Sequence, residues 1–304
     1  MAERAKIPVL LVTGFLGSGK TTLLRHLAQT HPRWRLVFLV NEFAETSVDG
    51  ATLTATGTPT HSVVGGSLFC ECKAADFLST MRDRVLAWHR ESPLDAVVIE
   101  TSGTADPEAI GQLMADHGLS TAFELRSIVT VAAPRKLVKL LGNLPVVEAQ
   151  LCVSDRIVIN KTDTVSAAEL DAVEQSIRRL NGAAQIQRAE HCQIDFLIPA
   201  IAPTMPCGEL STCEANPFST LEIEWPTGQP IAEARTWLRG LPDTILRVKG
   251  TIRTPEGCWR LERTVDGAHD EPAREADGKL VLIAHDDHEA DLAAALETFP
   301  ALSP

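Results

Sequence analysis

Apolar residues in this chain alternate between short unbroken runs and stripes at three- or four-residue spacing. Pro8-Val-Leu-Leu-Val12, Arg35-Leu-Val-Phe-Leu-Val40, Asp95-Ala-Val-Val-Ile-Glu100, Leu125 to Ala133 and Arg156-Ile-Val-Ile-Asn160 all have strand length. Runs with no polar alternation belong to a parallel sheet covered on both faces. Between them, Thr22-Leu-Leu-Arg-His-Leu-Ala28 has helical spacing. Phe77, Met81, Val85 and Trp88 predict a core-facing helix from about Ala74 to Glu91, closed by Pro93. Asp106-Pro107-Glu108 reads as a helix start with Gly118 as its stop, and Pro134 to Leu141 as a short helix. Ser166-Ala-Ala-Glu169 is a capping box, opening a helix that Gly182 ends. Residues 51–69 are small and polar.

The texture changes at Leu197 to Phe218, where Pro199, Pro203, Pro206 and Pro217 mark a boundary. Beyond it Leu221, Ile223 and Trp225 alternate with polar residues, as in a half-exposed strand. Pro230 to Leu241 reads as a helix, and strands follow near 244–253, 258–265 and 279–284. A last helix carries Leu292, Leu296 and Phe299, giving a β-α-β-β-β-α module. The expected organisation is a domain over 1–200, a linker over 201–217 and a small α+β domain over 218–304.

Composition narrows the classes. With 44% apolar and 22% charged residues and no long apolar run, the chain reads as globular rather than membrane-spanning. Met1-Ala-Glu-Arg-Ala-Lys6 lacks the architecture of a secretory signal, so a cytoplasmic protein is expected. A net charge of −12 argues against a nucleic-acid partner. Seven irregularly spaced cysteines do not form a secreted disulfide framework, and the absence of Tyr excludes tyrosine acid–base chemistry.

The candidate chemistry begins at Gly14-Phe-Leu-Gly-Ser-Gly-Lys-Thr-Thr22, a G-x-x-x-x-G-K-T match between a strand and a helix. Gly14, Gly17 and Gly19 open backbone conformations that let successive amides, with those of Ser18 and Thr22, turn inward on phosphate oxygens. Lys20 is expected on the β- and γ-phosphates and the Thr21 hydroxyl on Mg²⁺. The fold class is therefore α/β: a P-loop NTPase with a mainly parallel sheet flanked by helices, followed by the small α+β domain. Glu100, ending an apolar strand before Thr101-Ser102-Gly103, stands where a Walker B carboxylate orients Mg²⁺ or its water, with Gly103 meeting the γ-phosphate. In Asn160-Lys161-Thr162-Asp163 the Asp163 carboxylate would accept both the N1–H and the amino group of guanine. Asn160 would face the base's other edge or tie neighbouring loops, and the Lys161 stem would cover the ring. Glu42, Glu45 and Asp49 follow a strand end and are candidates for metal contact, a switch segment or a solvated loop. Cys70 and Cys72 offer two soft ligands, with Glu42 or His61 available to complete a zinc or cobalt site, or are simply small residues. His285 and His288 could bind a metal but read better as exposed residues at a helix start.

With GFLGSGKTTLL, NEF, a cysteine-bearing turn, ETSG-x-ADP and NKTD in this order, and LP-x-x-ILRVKG from Leu241 to Gly250, the whole chain resembles the CobW family of P-loop GTPases, relatives of the UreG and HypB metallochaperones. The resemblance implies slow hydrolysis of GTP to GDP and phosphate, with Lys20 and Glu100 as catalytic residues. It also implies nucleotide-coupled delivery of a metal or metal cofactor to a client protein. Two features depart from the family. Its usual C-x-C-C turn reads Cys70-Glu71-Cys72 here, and Ala133 stands where an Asp commonly ends the strand before the guanine-specificity strand. A nucleotide-gated switch without its own transition metal, acting on a corrinoid or other cofactor protein, is the alternative. An ATP-using small-molecule kinase is a third reading, against which Asn160 to Asp163 argues.

Overall fold

The computed structural model describes residues 6–42, 60–64, 71–105, 107, 110–195, 218–264, 267–285 and 288–300. They fall into two compact units, Met1–Ala215 and Asn216–Pro304. Glu45, Asp49, Cys70, Asp106, Glu108 and the 201–217 linker lie outside the described residues, as do the side chains of Glu42, His61, Cys72 and His285.

The first unit is built on seven parallel strands in the order β3-β2-β4-β1-β5-β6-β7. These are β1 (Ile7–Thr13), β2 (Leu36–Glu42), β3 (Thr60–Val64), β4 (Ala96–Glu100), β5 (Phe123–Ala132), β6 (Arg156–Ile159) and β7 (Gln185–Arg188). The apolar runs become the inner strands because both sheet faces are covered. On one face Val9, Leu11, Val37, Leu39, Val97 and Ile99 pack against Phe77, Met81 and Val85. On the other, Leu10, Val12, Phe38, Val98 and Val131 meet Leu23, Leu24 and Leu27 of α1 (Lys20–Thr30). The stripe at Phe77 lies on a helical stretch formed by α2 (Glu71–Ser79), a π-helical segment (Thr80–Val85) and α3 (Leu86–Glu91). The helix expected after Asp106 is α4 (Ile110–Asp116), and Gly118 turns left-handed just beyond it. Then come α5 (Pro134–Leu140), α6 (Pro145–Cys152) and α7 (Ala167–Leu180), the last opened by the reciprocal Ser166–Glu169 capping box.

Three elements of this unit differ from expectation. The small, polar stretch over 51–69 contains β3, an edge strand pairing with β2. The half-exposed β7 pairs with β6, and α6 follows α5 closely in a segment read as no element.

The second unit holds β8 (Phe218–Glu224), α8 (Ile231–Gly240), β9 (Ile245–Thr254), β10 (Gly257–Thr264), β11 (Gly267–Ala273), β12 (Lys279–His285) and α9 (Glu289–Glu297). Its antiparallel sheet runs β11-β10-β9-β12-β8, one strand more than the expected module. The extra strand, β11, pairs with β10 at the edge, where Pro272 is tolerated. Trp225, Trp237 and Phe299 meet edge-on and tilted, at centroid separations of 5.1 to 6.3 Å, inside this unit's own core. His288 precedes α9 and is exposed.

Candidate nucleotide site

The candidate site gathers at the C-terminal ends of β1, β4 and β6, where an open α/β sheet binds its ligands. Leaving β1, the chain turns at Gly14 with φ 129°, and a Cβ there would stand 2.2 Å from the Val131 carbonyl oxygen. Only glycine passes so close to β5. Gly17 and Gly19 are also left-handed, with φ 68° and 114°. Gly19 precedes α1 without a capping side chain, so the first amides of the helix have no partner within it. That end carries the positive pole of the helix and suits an anion.

Lys20 is 6% exposed and folds back over the loop, donating to the carbonyl oxygens of Gly14 at 2.7 Å and Phe15 at 3.4 Å. The Thr21 hydroxyl donates to the Glu100 carboxylate, 3.2 Å from Oε1 and 3.3 Å from Oε2. Glu100 is 5% exposed, the last residue of β4, and in register with Val12 of β1. A hydroxyl and a carboxylate beside a phosphate loop are hard oxygen donors of the kind Mg²⁺ takes when phosphates complete its shell, so these residues fit the ion. The following turn touches the phosphate loop: a Cβ on Gly103 would stand 2.6 Å from the Leu16 amide nitrogen.

Asn160 is 2% exposed and ties loops together. Its Nδ2 donates to the Ser18 carbonyl at 2.9 Å, while its Oδ1 accepts from the Cys192 amide at 2.8 Å. Of the two roles open for it, the second is the one seen. Lys161 adopts the left-handed region at φ 60°, turning the chain into the short helix Thr162–Thr164 that carries Asp163 on the surface. Thr22 is half-buried, whereas the Ser18 hydroxyl is buried without a hydrogen-bond partner and lines a cavity of about 20 Å³ under the loop. Lys20, Thr21, Glu100, Gly103 and Asn160 are thus gathered around one loop. Among the described residues no group of three or more His, Cys, Asp and Glu forms a metal cluster, and no helix is long and apolar enough to cross a membrane.

Sequence reading missed three residues here. Cys192 is buried, its thiol donating to the Gly19 carbonyl at 3.4 Å, and burial pushes its pKa from 9.0 up to about 12. Lys136 of α5 donates to the Leu16 carbonyl. Gln150 of α6 donates to the carbonyls of Gly103 at 3.2 Å and Ala105 at 3.1 Å. The last two had a signal: Lys136 lies four residues before the buried Leu140, and Gln150 three after the buried Val147, so polar side chains occupy core-facing positions.

The family model for the CobW/HypB/UreG nucleotide-binding domain matches residues 8–188. The chain is 28% identical to the zinc chaperone YeiR of Escherichia coli (strain K12), over 90% of this chain and 92% of that protein. It is 27% identical to the zinc chaperone YjiA of the same organism, over 81% of each. The crystal structure of Zn(II)-bound YjiA GTPase from E. coli matches with a TM-score of 0.50 at 23% identity, over 98% of this chain and 100% of that one. At that identity the likeness speaks to the fold.

Proposed function

The chain belongs to the CobW/HypB/UreG family, and from that premise we propose that it is a slow GTPase whose nucleotide state governs the handling of a thiophilic metal ion for a client protein. The observation that carries the nucleotide half is the convergence of Lys20, Thr21 and Glu100 on one loop at the ends of β1 and β4. In this reading Lys20 exchanges the carbonyls of Gly14 and Phe15 for β- and γ-phosphate oxygens. Thr21 and Glu100 would hold Mg²⁺, which when bound would supply positive charge against that growing on the transferring phosphoryl group. Glu100 also orders water beside the γ-phosphate. The attacking water forms a new P–O bond and gives up a proton to the phosphate oxygens, the bond to the β-phosphate oxygen breaks, and GDP and protonated phosphate leave. Asp163 selects guanine by accepting its two hydrogens, since adenine would leave the carboxylate unpaired.

Binding of GTP, GDP and ATP to the wild type and to Asp163→Asn tests this half. Strong preference for guanine in the wild type, relaxed in the variant, is expected. Equal affinity for ATP and GTP in the wild type overturns the assignment.

The metal half draws on the zinc chaperones to which the chain is similar and on Cys70 and Cys72, with Glu42 or His61 as further ligands. An open site of two thiolates plus one or two harder ligands suits transfer better than storage. Cobalt(II) titration is expected to give thiolate-to-metal charge-transfer absorption that is lost in Cys70→Ser. No such band in either nucleotide state would leave the metal-free switch as the better reading.

A further inference from the structure

Two helices beyond β5 each send one buried polar side chain to the backbone of the nucleotide loops. Lys136 is 2% exposed and its ammonium donates to the Leu16 carbonyl, across 120 residues of sequence. Gln150 is 1% exposed and its carboxamide bridges the carbonyls of Gly103 and Ala105. Gln150 is itself anchored through its main chain: its backbone carbonyl accepts from the Thr130 hydroxyl at 2.6 Å and from the Ser154 hydroxyl at 2.7 Å. An ammonium and an amide taken out of water are costly unless fully hydrogen-bonded, so an ordinary core would use apolar residues at both positions.

The consequence lies in peptide geometry. A planar peptide unit points its C=O and N–H in opposite directions. With the Leu16 carbonyl held inward on Lys136, the Gly17 amide of the same unit is turned outward. With the Gly103 and Ala105 carbonyls held on Gln150, the turn after β4 cannot flip away from the phosphate loop, which it already touches at Leu16. A cavity of about 20 Å³ between the loop and these helices is bordered by both side chains.

We propose that Lys136 and Gln150 are positioning residues with separate duties, an inference that rests on the nucleotide site proposed above. Lys136 sets the phosphate loop, which any guanine nucleotide uses. Gln150 sets the turn at Gly103, which only a γ-phosphate reaches. Gln150 therefore discriminates triphosphate from diphosphate without touching either.

The test measures binding of GDP and of a non-hydrolysable GTP analogue to the wild type, Lys136→Met, Lys136→Arg and Gln150→Met. Gln150→Met is expected to weaken the analogue about tenfold, the loss of one buried hydrogen-bonding group, while GDP stays within about twofold. Lys136→Met is expected to weaken both about tenfold, and Lys136→Arg to recover most of it, because Arg keeps a donor. A merely structural role would lower both affinities together in Gln150→Met, and that result overturns the proposal, as do variants that bind like the wild type. Hydrogen exchange on the wild type serves if a variant does not fold. Added protection of residues 145–152 is expected with the analogue and not with GDP, and equal protection with both overturns the proposal. A wild type that binds neither nucleotide overturns the nucleotide-site reading and this inference with it, whereas normal wild-type binding beside unaltered variants sinks this inference alone.

Discussion

Glu100 and Lys20 lie on one loop system yet predict different kinetic signatures. Glu100 accepts from the Thr21 hydroxyl, so Glu100→Gln should slow hydrolysis about 10²-fold with GDP binding nearly intact. Lys20 spans the loop itself, so Lys20→Ala should abolish hydrolysis and weaken GTP binding through loss of a charge-assisted contact. Single-turnover rates beside equilibrium binding separate the two; a wild-type rate in Glu100→Gln would make that residue structural. Cys192 predicts a pH effect. Its folded pKa, about 12, lies above the ordinary 9.0, so the unfolded chain loses this proton first. The stabilisation is fully present below about pH 9 and is lost as pH rises toward 12. Denaturation midpoints should fall over that window in the wild type and fall less in Cys192→Ala. At pH 8, iodoacetamide should label the exposed Cys152 and spare Cys192 until the protein unfolds. Lys20, Thr21, Glu100 and Asn160 were legible because each belongs to a contiguous motif with its own strand end. Lys136 and Gln150 signalled only that a polar residue stood at a core-facing position; what each holds was not legible, because their partners lie 120, 47 and 45 residues away.

At the scale of elements, the contact of the turn after β4 with the phosphate loop is the sharpest constraint. The atoms that a Cβ on Gly103 would meet include the backbone of Leu16, which cannot rotate aside as a side-chain tip can. Gly103→Ala should therefore push the two loops apart, at a cost of roughly 1–3 kcal/mol in stability. GTP hydrolysis should fall more than GDP affinity, and a variant matching the wild type in both would show that the turn yields freely. The inner strands were legible because burial on both faces demands unbroken apolar residues. Among the edge strands the alternation of Leu221, Ile223 and Trp225 marked β8, but β7 and β11 were silent: β7 reads Gln-Ile-Gln-Arg and β11 Gly-Ala-His-Asp-Glu-Pro-Ala, each held by the ladder on one side. The π-helical segment was equally silent, since Phe77, Met81 and Val85 mark a buried face whatever the local winding.

For the whole molecule, each unit carries its own sheet and its own core. Calorimetry should then resolve two transitions. GDP at a hundredfold excess over its Kd should raise the one belonging to the first unit by about 2.7 kcal/mol of stability and leave the other in place. A single transition, shifted as a whole, would show that the units unfold together. The strand order has a consequence for the ribosome as well. β1 is translated before any of its neighbours, yet it sits between β4 and β5, which end at Glu100 and Ala132. At ordinary elongation rates, on the order of ten seconds pass before both flanks exist. Until Glu100 is made the nascent chain carries an apolar strand with neither native neighbour, and until Ala132 one of its edges stays open. Messages truncated before the codon for Ala132 should yield insoluble or chaperone-held fragments, and slowing translation beyond that codon should matter much less than slowing it before.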